Sequence, residues 1–235
     1  MNTWPDVDSE RLAGVLLRVD LYENRYLAVA EYHNVVNHLL RSASAACLLG
    51  KEADALALVD RAGRRMEEWI AAVGAGKAKP GTYADFSATR GLLALALAPE
   101  GRKDAAVRAA RTFLTQTADA PPGSVHNARL AAAGLAGEMP ALQASAKACE
   151  LSDAGLGLPW KRFATAIDAR DPAMAAKSAL AWLREKMEAT HTNEWGAYNE
   201  VPLEVSAALA LAELRGVPVK LTSNRVLTRF RAVVG

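Results

Sequence analysis

Four times along this chain an alanine-rich run with helical spacing breaks at a short connector of Gly, Asp or Pro and resumes as a second alanine-rich run. The four places are Ala45–Ala57, Leu95–Ala110, Ala131–Ala146 and Phe163–Ala176. Small side chains on both partners let two helix backbones approach closely, so the pattern is that of antiparallel helix pairs laid one hairpin on the next. Alanine, the strongest helix former, fills about a fifth of the 235 positions, and aromatic residues only 6%. The expected fold is all-α: an irregular stack of antiparallel helical hairpins, TPR- or HEAT-like in its α–α arrangement, with about ten to eleven helices.

Capping signals and apolar spacing set the expected boundaries. Asp8 or Ser9 caps a first helix carrying Leu12, Val15, Leu16 and Val19. A second helix is expected over about residues 23–49, where Gly50 stops it, and a third over about 52–73. Gly74–Thr82 is the clearest connector, because its glycines are flexible and Pro80 cannot donate to a helix. It reads either as a surface loop within one domain spanning 1–235 or as a sub-domain break at 74–82. Later helices are expected over about 83–98, up to about 117, then about 124–136, 140–150, 159–169, 171–190 and 202–216. Asp171-Pro172 is a strong start signal, with Asp as N-cap and Pro in the first helical position. Val217-Pro218-Val219 should be extended, and a last helix capped by Thr222 or Ser223 should carry Val226, Leu227 and Phe230. Trp69, Trp160 and Trp182 lie in helical patterns and are expected to pack between hairpins.

Composition narrows the function classes. A formal net charge of +2 gives no reason to expect a nucleic-acid or membrane partner. The charge is uneven, however. Residues 1–60 carry nine acids and five bases, residues 61–120 ten bases and six acids. That asymmetry reads either as ordinary solvated faces or as an acidic N-terminal surface offered to a basic partner. Cys47 and Cys149 are expected to be small buried apolar residues, which fits a reducing, cytoplasmic setting. The acidic N-terminus lacks the features of a secretory leader, and no apolar run is long enough for a membrane span.

Signatures of catalysis are absent. There is no GxxxxGK followed by Ser or Thr, no GxGxxG, no CxxC and no GxSxG. His33 and His38, five apart on a helix, do not share a face. His191 is the most interesting histidine. Asn193, Glu194, Trp195, Tyr198, Glu200 and Glu204 follow it, with Glu200 and Glu204 at i, i+4 spacing. A metal or acid–base site around His191 is conceivable. Of the two functional readings a polar, aromatic binding surface is the stronger, since exposed aromatics beside charge anchor protein interfaces; ordinary solvation of these residues is the third reading. These seven residues are the candidate partner-binding set, and no catalytic residue, metal or cofactor is expected.

The last third carries a pattern of short motifs. Pro159-Trp160 leads into an alanine-rich helix, then Asp168–Pro172, an amphipathic helix and a polar loop. Val201–Glu204, an apolar helix and Arg215-Gly216-Val217-Pro218-Val219 follow. This resembles the Imm49-like immunity proteins of bacterial polymorphic toxin systems, over about residues 125–235. The resemblance implies a cytoplasmic, all-α, non-enzymatic protein that binds and neutralises a cognate toxin by occluding its active site. The alternative is a TPR-like scaffold or chaperone for a protein partner, although the regular repeat period is not kept.

Overall fold

The computed structural model describes residues 9–78, 83–120, 125–138, 157–191, 203–223 and 225–232. The fold is all-α. Among the described residues ten helices follow one another: α1 Ser9–Leu17, α2 Val19–Leu27, α3 Tyr32–Leu48, α4 Glu52–Gly74, α5 Asp85–Ala96, α6 Lys103–Gln116, α7 His126–Ala136, α8 Gly157–Asp168, α9 Pro172–His191 and α10 Leu203–Leu214. None of the described helices is long and apolar enough to cross a membrane.

Three of the four sequence connectors join packed pairs: α3 with α4, α5 with α6, and α8 with α9. The partner of α7 in the remaining one falls at 139–156, outside the described residues, as does the helix expected at 140–150. Between α3 and α4 the chain turns on Gly50 in the left-handed region (φ +72°), and the Lys51 N–H donates to Ala46 O, closing the helix end. Asp171 behaves as its sequence position suggests: its Oδ1 accepts the Met174 N–H at 2.9 Å and caps α9.

The core is built on two helices that are mostly apolar and buried on nearly every side. Every residue from Ser87 to Ala98, spanning most of α5, is buried, and so is Leu203–Ala212 of α10. Such helices fit only in the interior. Helix α5 packs against α3, α4, α6 and α7, and α10 returns from far along the chain to pack on α5, α7 and α9. Glycines set how closely these helices approach. A Cβ on Gly91 would lie 2.8 Å from Met66 Sδ and 3.1 Å from Met66 Cβ, and one on Gly134 would lie 2.8 Å from Leu211 Cδ2. One hydrophobic cluster runs from Val19 to Phe230. It crosses the Gly74–Thr82 connector, where Trp69, Tyr83 and Phe113 stack in series at centroid separations of 5.0 and 4.8 Å. Gln116 braces the same place, donating to Ile70 O and accepting from the Tyr83 hydroxyl. Trp160 and Trp182 pack on each other at 5.7 Å, both buried as expected.

Two expected elements differ. The single helix over 23–49 is divided into α2 and α3 by Ala28–Glu31, with Ala30 in the left-handed region at φ +55°. No Gly or Pro marks this break. It lets α2 fold back so that Tyr22 and Tyr26 meet His38 at 5.1 and 6.4 Å. The expected last α-helix is instead an irregular segment with a 3₁₀ turn at Thr228–Phe230 and one bridge between Leu221 and Arg231. Tertiary acceptors take its backbone donors: Ser206 Oγ accepts from Leu227 N–H, and the Glu52 carboxylate accepts from both the Thr228 N–H and its hydroxyl. Val226, Leu227 and Phe230 are nonetheless buried.

The charge asymmetry of the sequence resolves into contacts within the chain. Arg61 pairs with Asp20 at 2.5 Å and with Glu23, and Arg65 reaches Glu23 at 2.6 Å. Arg102 binds Asp60 and lies 2.6 Å from Glu67. Three acids of the N-terminal segment are thus engaged by bases of the next one rather than presented to a basic partner. Glu23 is 0% exposed, and two guanidiniums compensate its desolvation. The Cys47 thiol is free, and burial, then the nearby Glu52, push its pKa up to about 12, so it stays protonated.

The close helix approach and the half-buried His38 are both open to test. Gly91→Val should destabilise the fold by about 2–3 kcal/mol, because Met66 cannot withdraw its Cβ. Gly14→Ala, where nothing lies within 4 Å, should stabilise it by about 1 kcal/mol. Urea unfolding measures both, and equal effects would refute the close approach. Burial lowers the His38 pKa below the ordinary 6.5, with Arg41 and Arg61 acting in the same direction and Glu23 and the Val19 backbone opposing. The unfolded chain therefore takes up a proton first as pH falls. This contribution to stability is whole above the ordinary value and is lost as pH drops from there towards the folded pKa. Between pH 7 and pH 5 the melting temperature of His38→Gln should accordingly fall less than that of the wild type. Differential scanning calorimetry measures the two slopes, and identical slopes would exclude His38 as their source.

Candidate protein-interaction site

The sequence places its candidate surface between the end of α9 and the start of α10. His191 is the last residue of α9, and only its backbone is described. Asn193, Glu194, Trp195, Tyr198 and Glu200 lie outside the described residues. Glu204 is in the first turn of α10, and it is a core residue rather than a surface one: it is 6% exposed, and its Oε1 lies 2.7 Å from Arg90 Nε. An exposed partner-binding role for Glu204 is therefore corrected. A helix buried on all sides leaves its first-turn carboxylate no route to water, so it takes a cation from the neighbouring central helix.

The structure assembles a polar chain from this pair outward. Arg90, 3% exposed on α5, directs Nη1 at Asn37 Oδ1 of α3, 3.4 Å away. Asn37 donates its amide to Ser87 Oγ at 2.7 Å. At the outer end stands Phe86, 45% exposed, with the Arg90 guanidinium carbon 5.2 Å from its ring centroid. Three helices thus converge on one guanidinium, which supports an aromatic ring at the surface. The contact is a cation–π pair whose cation is fixed by a buried carboxylate.

Beside the ion pair is a void of about 10 Å³, lined mainly by apolar side chains including Leu40, Val59, Leu93 and Leu203. It has room for about one water and none for an organic substrate. Among the described residues no group of three or more His, Cys, Asp or Glu gathers at metal-binding distance. Chemically, the arrangement offers a rigid aromatic platform: it can bind a surface, and its ion pair is spent on structure.

Sequence reasoning missed Phe86, Arg90 and Asn37. A signal for Arg90 was present: it is the lone charge in the otherwise neutral run Phe86–Ala98. A charge so placed is buried and paired, or it breaks the helix. Nothing local marks Asn37 or Phe86, because their role comes from packing between helices about fifty residues apart in sequence. The chain matches no protein-family model, and comparison with curated proteins and with solved structures gives no match.

Arg90→Met should cost about 3–5 kcal/mol, since Glu204 is left buried without its cation. The double variant Arg90→Met/Glu204→Met should recover most of that loss. A double-mutant cycle by urea unfolding tests this, and additive effects would show that the two groups are not coupled.

Proposed function

We propose that this chain is an immunity protein that binds a cognate bacterial toxin and neutralises it through protein–protein contact, by covering the toxin's active site. The reading joins the Imm49-like motif pattern of residues 159–219, which spans α8–α10, to one structural observation. Phe86 is a half-exposed ring against the Arg90 guanidinium, and Asn37 and Glu204 in turn fix that guanidinium. An aromatic anchor fixed before binding loses little entropy on association, and anchors of this kind carry most of the affinity at protein interfaces. The site is tied to the first turn of α10 through the Arg90–Glu204 pair. The reading places the protein in the cytoplasm, where such a toxin would act.

The test is co-expression with the toxin encoded beside this chain's gene. Growth should be restored, and the two proteins should co-purify. Phe86→Ala should weaken the complex by about 2 kcal/mol, roughly thirtyfold in Kd, while costing the fold no more than about 1 kcal/mol, because the ring is half-exposed and Arg90 keeps its carboxylate partner. Unrelieved toxicity in the presence of folded protein would end the immunity reading. An unchanged Kd for Phe86→Ala would remove this site from it.

A further inference from the structure

A second surface lies on the α8–α9 hairpin. A groove of about 510 Å³ runs between the two helices. Arg162 and Thr165 border it from α8, and Met174 and Lys177 from α9, all four exposed; Lys161 also lines it. None of its lining residues carries a carboxylate. Asp171, at the head of α9, is occupied in capping that helix. We propose that this groove docks an acidic segment of a protein partner, with Arg162 and Lys177 binding its carboxylates and Met174 covering an apolar side chain between them. The proposal rests on the protein-binding reading above and specifies the chemistry of the partner.

Three features support it. The volume lies in the range of formed ligand sites and is far larger than a single anion needs. Met174, 48% exposed, is a flexible, polarizable contact suited to an apolar residue of a peptide. The groove is also the wrong kind of cationic surface for a nucleic acid. Single strands stack on aromatic rings, and the rings of this hairpin, Trp160, Phe163 and Trp182, are turned into the core. The same rings fix α8 against α9: Trp160 packs on Trp182 and lies 6.3 Å from Phe163.

Fluorescence anisotropy on the full chain tests the proposal. The probes are a labelled peptide of alternating glutamate and leucine, its lysine–leucine counterpart, and an oligothymidylate. The glutamate peptide should bind at low salt and weaken as salt rises, and the lysine peptide should not bind. Arg162→Glu/Lys177→Glu should weaken binding at least about tenfold, while Arg229→Glu, a cation elsewhere on the surface, should leave it unchanged. Both variants are surface changes, and unchanged melting temperatures confirm folding. No binding, binding indifferent to the groove variant, or tighter binding of the oligothymidylate would overturn the proposal. The same groove variant in the toxin co-expression assay separates the two readings. Retained protection with lost peptide binding removes the groove from the toxin contact alone. Absence of protection by the wild type removes immunity and leaves the groove as an acidic-peptide site.

Discussion

Helix α5 is the member on which the rest of the fold depends. It is buried on nearly every side and touches α3, α4, α6, α7 and α10. Such a helix forms contacts in all directions only if its neighbours come close, and the backbone allows this where a side chain is missing. Gly91 on α5 faces Met66 of α4, and Gly63 on α4 faces Leu95 of α5, where a Cβ would lie 3.1 Å from Leu95 Cδ2. The two helices are thus fitted at two points about one turn apart along α5, each helix giving a glycine and receiving a larger side chain. At interior packing density an added methyl has no free space to enter. The alanine-rich composition has a mechanical meaning here, since it keeps neighbouring axes near enough for one short helix to serve five partners.

The second constraint is charge in the interior. Glu23, Arg90 and Glu204 are all buried, and each has a partner on another helix. Isolated, any one of them would cost several kcal/mol. Paired, they act as register pins: Glu23 ties α2 to α4, and Arg90 with Glu204 ties α5 to α10. The second pin has a consequence at the surface. Because Arg90 is fixed from below by Glu204 and at its side by Asn37, the ring of Phe86 rests on a cation that cannot swing away. The same ion pair that ties α5 to α10 fixes the cation under Phe86.

The interaction surfaces proposed for this protein follow from what the core leaves over. The hairpin α8–α9 turns its large rings inward and leaves Arg162, Lys177 and Met174 outside, whereas three of the nine acids of the N-terminal segment, Asp20, Glu23 and Asp60, are paired with Arg61, Arg65 and Arg102. The balance of charge on the folded surface therefore differs from that along the chain. A segment that is acidic in sequence need not be an acidic surface, because its carboxylates are available to a partner only if the fold has not already used them.

Much of the architecture could be read from the sequence alone, since it is set by local physics. Alanine propensity, the caps at Asp171 and Gly50, and the apolar spacing of α4 and α9 act within a few residues and do not need the fold to exist. The apolar run at 91–98 could likewise be read as too short for a membrane span. Tertiary structure decided the rest, wherever a residue's state depends on a distant partner. The break at Ala30 has no Gly or Pro and exists because Tyr22 and Tyr26 gain contact with His38. The segment after Ser223 is not an α-helix, because Ser206 and Glu52 accept its backbone donors. Glu204 lies inside rather than at the surface because Arg90, over a hundred positions earlier, meets it there. Propensity sums over neighbours in the chain, whereas burial and pairing sum over neighbours in space, and only the folded molecule defines the second set.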